Sequence, residues 1–303
     1  MGKDFLTLTD FSAEEILDTL NLAREVKELT KAGKCPQPFR GKTFGMIFHK
    51  PSLRTRISFE TGVYQLGGYS LFITDKEIEL GKRESIADIG RVLSRFLHGI
   101  VIRTFSHQHV EELAEWSSVP VINALTDKYH PCQIMGDLQT ILEHKGRIEG
   151  IKLTYFGDGN NVANSLINAA YRLPIDVTIA CAEDTLPDME VFNRAKNEGI
   201  GSVRIVHDPV EGAKGADVFY ADVWASMGQK DLLEVKMKSL RAFQINHELL
   251  KHAKSDAIVM HCLPAERGRE ITDEVMDGPQ AVVFDQAENR LHAQKAIMMK
   301  IVK

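Results

Sequence analysis

Residues 51–56, Pro-Ser-Leu-Arg-Thr-Arg, bring two guanidinium groups and two hydroxyls into one short stretch. An apolar run, Thr43-Phe-Gly-Met-Ile-Phe48, precedes it and reads as a buried strand. A helical pattern follows, with Ile57, Phe59, Val63 and Leu66 as its apolar face. A strand that feeds a hydroxyl-rich helix start suits an anion. The first backbone N–H groups of the helix lack internal partners and share the positive end of the helix dipole. Ser52 is placed to cap that helix, and Arg54 and Arg56 can fork onto phosphate oxygens. A phosphate dianion needs several such donors, because an exposed ion pair alone contributes under about 1 kcal/mol.

Other strand ends carry polar groups as well. Arg103 closes the run Gly99-Ile-Val-Ile-Arg, and His130-Pro-Cys-Gln133 opens a helix on which the histidine and glutamine share one face. Asp222-Val-Trp-Ala-Ser-Met-Gly228 follows the run Val218–Tyr220 and offers an acid for an ammonium group. His261-Cys-Leu-Pro264 follows Ile258–Met260. The turn Gly157-Asp-Gly159-Asn-Asn, after another strand and with Glu183 and Asp184 downstream, imitates a dinucleotide fingerprint, although Val162 stands where the third glycine belongs. A tight turn presenting Asn160 and Asn161 is the better reading. His107-Gln-His109 has metal-like spacing but no acid or thiol beside it, and reads as loop surface.

The elements that must position these groups alternate. Thr9-Asp10-Phe-Ser12 before Glu14-Glu15 is a capped helix start. Strands are expected at 43–48, 69–73, 99–103 and 119–122, and helices from 53, at 85–97, at 109–116 and from Pro131 to Lys145. After Lys145-Gly-Arg-Ile-Glu-Gly150 a second series begins, with strands at 152–156, 177–180, 203–206, 218–220, 258–260 and 281–284, and a final helix over 288–303. Such alternation predicts an α/β protein of two doubly wound parallel-sheet domains, with the active site in the crevice between them. The expected domains are 1–148, with helix 288–303 packing back on it, and 149–287.

Bulk composition narrows the field. The chain has 303 residues, 44% hydrophobic and 26% charged, and a formal net charge of -5. That balance argues against a nucleic-acid binder, so an anion site must be a local concentration of arginine. Cys35, Cys132, Cys181 and Cys262 are far apart and form no CxxC pair, which suits reduced thiols and no metal site. No apolar run approaches membrane-spanning length, and the first residues show neither a signal core nor an Arg-rich presequence. Gly2 does not open a myristoylation motif, since Leu6 stands where Ser or Thr is needed. A cytoplasmic protein is expected.

Taken together, these segments resemble the aspartate/ornithine carbamoyltransferase family, and within it the ornithine branch, over essentially the whole chain. Ser52-Leu-Arg-Thr-Arg56 resembles the family's Ser-x-Arg-Thr-Arg motif and His130-Pro-Cys-Gln133 its His-Pro-x-Gln motif. Asp222–Gly228 and His261–Pro264 resemble the ornithine branch's Asp-x-Trp-x-Ser-Met-Gly and His-Cys-Leu-Pro, and Glu288-Asn-Arg290 its arginine-bearing segment. The resemblance implies that Ser52, Leu53, Arg54, Thr55, Arg103, His130, Gln133, Leu263 and Arg290 bind carbamoyl phosphate. It implies that Asn161, Asp222, Ser226 and Met227 bind L-ornithine, and that Arg103, His130, Cys262 and Arg290 are catalytic. It further implies a cis Leu263-Pro264 bond, no cofactor or metal, and a homotrimer in which a neighbouring loop near Glu79 completes each site. The implied reaction makes citrulline and phosphate in arginine metabolism, with biosynthesis the expected direction.

One residue departs from the pattern. Relatives often carry Gln, His or Gly where this chain has Glu79, and a carboxylate aimed at phosphate is repulsive by about 1 kcal/mol at 4 Å even in water. Lys82 and Arg83 are placed to compensate. Other acceptors (acetylornithine, succinylornithine, putrescine), an NAD-dependent oxidoreductase and a non-catalytic carbamoyl phosphate binder are the competing readings.

Overall fold

The computed structural model describes residues 4–78, 81, 83–224 and 230–303. It divides into two compact units, Met1–Gln139 with Glu288–Lys303, and Thr140–Ala287.

Four strands make the sheet of the first unit: β1 (Thr43–Phe48), β2 (Tyr69–Thr74), β3 (Gly99–Arg103) and β4 (Val121–Leu125). They lie in the order β2-β1-β3-β4, and every neighbouring pair is parallel. β3 is buried along its whole length, as its unbroken apolar run requires when helices cover both faces. One layer packs Ile47, Ile100 and Ile102 against Ile86, Ile89, Val110 and Leu113. The helix Leu53–Gln65 buries Phe59 and Val63, and Leu66 beyond its end is buried too. Ile57 departs from the expected apolar face: it is 51% exposed. With Leu53 and Tyr64 it forms a second, outward stripe at helical spacing. Ser12 caps the helix Ala13–Lys31 in a reciprocal box with Glu15, as its sequence predicts.

Five strands make the sheet of the second unit: β5 (Lys152–Phe156), β6 (Asp176–Ala180), β7 (Ser202–Val206), β8 (Val218–Ala221) and β9 (Ile258–His261). Their order is β7-β6-β5-β8-β9, again all parallel. Phe156, Phe219, Trp224, Val259 and Ile271 belong to one buried cluster on this sheet. The expected strand at 281–284 is not formed. Ala281 makes only a single bridge to Val259, and Val283 opens the helix Val283–Ile301. Val282 and Val283 are apolar because a helix start is buried there, a pattern that a short run cannot distinguish from a strand. The helix expected over 85–97 is shorter, Ile86–Leu93, with the Ser94 hydroxyl donating to the Gly90 carbonyl at 2.6 Å.

His107 also departs from its expected place on a loop surface. It begins the helix His107–Trp116, and its ring lies edge-on to Tyr129 with centroids 4.8 Å apart. Burial and the Lys128 ammonium push its pKa down to about 4, and burial with Lys295 does the same to His292. The unfolded chain therefore takes up protons near pH 6.5 that the folded one refuses. Stability is fully present above that pH and is lost as pH falls from about 6.5 towards 4. Thermal melts at pH 7.5 and 5.0 should show a lower Tm at the acidic value, with the drop reduced in His107→Gln. An equal Tm at both would contradict neutral burial of these rings.

Candidate active site

In each sheet the strand order reverses at one point, and there adjacent connections leave in opposite directions. In the first unit this point lies between β1 and β3. The residues that follow β1 are His49 to Thr55, and β3 ends on Arg103. Ser52 caps the helix: its Oγ accepts from the Thr55 N–H at 3.3 Å and donates to Thr55 Oγ1 at 3.0 Å. Thr55 Oγ1 also accepts from Arg290 Nη2 at 3.1 Å. With its lone pairs taken by two donors, the Thr55 hydroxyl has its own hydrogen to give. Leu53 turns its side chain outward, 74% exposed, so what it supplies to the helix end is its backbone N–H.

Arg290 is almost wholly buried. Its Nη1 donates to Gln133 Oε1 at 2.7 Å. Once the Gln294 amide is oriented to satisfy its neighbours, its oxygen accepts from Arg290 Nε and Nη2 at 3.2 and 3.1 Å. His130 is buried beside these groups. Desolvation first, then the Arg290 and Arg103 guanidiniums, hold its imidazole well below the ordinary range, so it is neutral at physiological pH and able to donate without carrying charge. Cys132, two residues on, gives its thiol hydrogen to the Asn123 carbonyl at 3.3 Å, and burial raises its pKa to about 12. It is an inert core thiol.

The first unit also separates the two arginines of the opening motif. Arg56 is engaged elsewhere: its Nε meets Glu60 at 3.1 Å and its guanidinium lies 3.7 Å from the centre of the Phe72 ring. Arg54 makes no ion pair among the described residues. Lys50, which the motif reading passed over, is buried, paired with Asp127 and 4.5 Å above Phe105.

In the second unit the reversal lies between β5 and β8. Asp222 follows β8 and is buried. Its Oδ1 accepts from the Val223 N–H at 2.8 Å and from Cys262 Sγ at 2.9 Å, and its Oδ2 accepts from Asn160 Nδ2 at 2.7 Å. Asn160 meanwhile caps the helix Asn161–Arg172 through Val162 and Ala163 N–H. Asn161, the residue singled out from sequence, is the first of that helix and is buried. Ser226, Met227 and Glu79 lie outside the described residues. The dinucleotide imitation resolves into packing. A Cβ on Gly159 would lie 2.2 Å from Pro187 N, so the glycine admits the protein's own backbone.

Leu263 is the one non-glycine residue with positive φ among the described residues, at 57°, and the Leu263-Pro264 peptide is cis. Its N–H donates to His261 Nδ1 at 2.9 Å, which leaves the ring proton on Nε2, 3.0 Å from Glu270 Oε1. Both side chains of that pair are fully buried. Gln286 takes the His261 N–H at 2.8 Å. A buried polar set of this kind fixes a backbone that leucine does not ordinarily adopt.

Two family models match the chain. The carbamoyl-P binding domain of aspartate/ornithine carbamoyltransferase matches residues 3–143, and the Asp/Orn binding domain matches residues 149–301. The chain belongs to the aspartate/ornithine carbamoyltransferase family. Among family members, ornithine carbamoyltransferase of Thermococcus kodakarensis is 54% identical over 99% of this chain and 96% of its own length. The anabolic ornithine carbamoyltransferase of Pyrococcus furiosus is 50% identical over 99% and 96%. The solved structure of the ornithine carbamoyltransferase from Pyrococcus furiosus has a TM-score of 0.96 at 49% identity, covering 99% of this chain and 97% of that one.

Motif reading of this family member missed the residues that hold its motifs in place: Asp137, Gln294, Glu270 and Lys236, whose Nζ meets Asp158 at 2.6 Å. Asp137 alone left a signal, an acid four residues after Gln133 on a helix. The separation of the arginines gives a direct test by titration with inorganic phosphate. Arg54→Ala should weaken binding by about 2 kcal/mol, close to thirtyfold. Arg56→Ala should stay within about 0.5 kcal/mol of the parent. Equal losses would return Arg56 to the anion site.

Proposed function

We infer that this chain transfers the carbamoyl group of carbamoyl phosphate to the δ-amine of L-ornithine, giving L-citrulline and phosphate. The observation that carries this is that one family member holds both kinds of group. Hydroxyls, a helix start and arginines gather at one strand reversal, and buried Asp222 with half-buried Cys262 sits at the other. The relatives named ornithine carbamoyltransferase over nearly the full chain support the choice of amine. The word anabolic in one of those names supports the biosynthetic direction.

Residues 1–148 with 288–303 are assigned to carbamoyl phosphate, and 149–287 to ornithine. Ser52, Arg54, the Leu53 N–H and Thr55 hold the phosphate. Arg103, His130, Thr55 and Arg290 surround the carbonyl oxygen, and Gln133 and the Leu263 carbonyl accept from the carbamoyl NH2. Asn161, Asp222, Ser226 and Met227 hold the amino-acid end of ornithine, and Cys262 with Asp222 faces the reacting amine. The δ-nitrogen lone pair attacks the carbonyl carbon, negative charge develops on its oxygen, and collapse of the tetrahedral intermediate expels phosphate. Fixed donors aimed at that oxygen supply the stabilisation, and the neutral His130 adds one without repelling Arg103 or Arg290. Holding both reactants in line removes the entropic cost of their encounter.

Self-association into a homotrimer is part of the same reading. The outward stripe of Leu53, Ile57 and Tyr64, with Tyr69 exposed on the edge strand β2, supports an apolar contact with another copy. A neighbour's loop near Glu79 would complete each site. Sedimentation should give three times the 34.0 kDa of one chain. The cytoplasm is the proposed location, and no described helix is long and apolar enough to cross a membrane.

The decisive assay is citrulline formation from carbamoyl phosphate and L-ornithine, with acetylornithine, succinylornithine and putrescine in parallel. Turnover with ornithine alone is expected. Its rate should rise with pH, because the attacking amine must shed a proton whose solution pKa is near the lysine value of about 10.4. Turnover with another amine only would overturn the acceptor assignment, and silence with all four would leave a binding protein.

A further inference from the structure

Gln133 and Asp137 stand one turn apart on the helix Pro131–Lys145, Asp137 fully buried and Gln133 almost so. Gln133 Nε2 donates to Asp137 Oδ1 at 2.8 Å, while Gln133 Oε1 accepts from Arg290 Nη1 at 2.7 Å. A guanidinium can only donate, and the carboxyl oxygen of Asp137 is the acceptor on the other side, so the two neighbours select one and the same orientation of the amide. Arg290 is itself immobilised. Thr55 Oγ1 and the Gln294 oxygen accept from it, and the Gln294 nitrogen donates to Ser58 Oγ at 2.7 Å. The approach is close: a Cβ on Gly136 would lie 3.2 Å from the Arg290 backbone nitrogen.

We propose that Asp137 is a specificity-determining positioning residue for the acyl donor: it fixes Gln133 so that the amide oxygen, with a lone pair to spare beyond Arg290, meets the carbamoyl NH2. The inference rests on the carbamoyl-transfer reading and deepens it. Carbamoyl phosphate and acetyl phosphate share the anion and the carbonyl and differ only in bearing NH2 or CH3. Phosphate contacts cannot tell them apart. A buried acceptor can, since a methyl group leaves it unpaired. A flipped amide would present hydrogens to the NH2 and reverse the preference. Asp137 touches neither substrate and acts through Gln133.

The test compares Asp137→Asn with the parent in the citrulline assay. Asparagine keeps the volume but can turn either an oxygen or an NH2 group towards Gln133, so only Arg290 still selects the amide. The KM for carbamoyl phosphate should rise about tenfold, while the inhibition constants of acetyl phosphate and inorganic phosphate stay within about twofold. A uniform weakening of all three, or no change in any, would make Asp137 merely structural and overturn the inference. If the parent neither makes citrulline nor is inhibited by phosphate, the functional reading itself has failed, and that outcome is separate from any effect of the variant. Should the asparagine variant not reach the folded state by circular dichroism, Asp137→Ser, whose hydroxyl both donates and accepts, carries the same comparison.

Discussion

Everything functional in this chain depends on a constraint of parallel sheets. Parallel neighbours must be joined by crossovers, and a sheet wound outward from a central strand reverses direction once, leaving the carboxyl ends of two strands uncovered by connections. β1 and β3 are those strands in the first unit, and β5 and β8 in the second. The strands are pinned by full parallel ladders, such as Phe44 to Phe48 of β1 against Gly99 to Arg103 of β3. A side chain at or just after their ends inherits that rigidity. Arg103 is the last residue of its ladder, and Ser52, Asn160 and Asp222 sit within a few residues of a ladder's end.

The two units then solve opposite electrostatic problems with the same device. In the first, neutral acceptors hold a buried guanidinium: Thr55, Gln133 and Gln294 each take a hydrogen from Arg290. Arg56, by contrast, is neutralised by Glu60 and spread over an aromatic face. The second unit buries an acid at its reversal. Asp222 is accordingly surrounded by Asn160, the Val223 N–H and the Cys262 thiol, none of them a cation. The nearby Asp158 is treated differently, since it meets Lys236.

Motifs of functional residues were legible because each one occupies consecutive positions, and a strand followed by a capped helix has a local pattern. What supports them was not. Arg290 and Gln133 are 157 positions apart and only the fold brings them together, while Gln294 and Glu270 look like ordinary polar residues of a helix and a loop. Errors in the fold reading have the same origin. Val282 and Val283 are apolar because a tertiary neighbour buries a helix start, and Ile57 is apolar although its own unit leaves it exposed. Periodicity reports which residues avoid water but not what covers them.

The buried acceptors also bear on why this chain would position substrates instead of attacking them. Cys262 is the obvious nucleophile by residue type, yet its sulfur sits 2.9 Å from a carboxylate oxygen. Reactive thiolates are stabilised by cations or helix N-termini; a thiolate here would face a like charge, so the thiol serves as a donor to Asp222. His130, the obvious base, is kept neutral by burial between two arginines, which lets it donate to a carbonyl but makes it a poor partner for a developing cation. With neither this thiol nor this imidazole set up to attack, the groups described at the two reversals are suited to orienting a carbonyl and accommodating charge on its oxygen. In the proposed reaction the attacking atom comes from the second substrate, and an acid such as Asp222 at the second reversal suits a group that arrives as an ammonium.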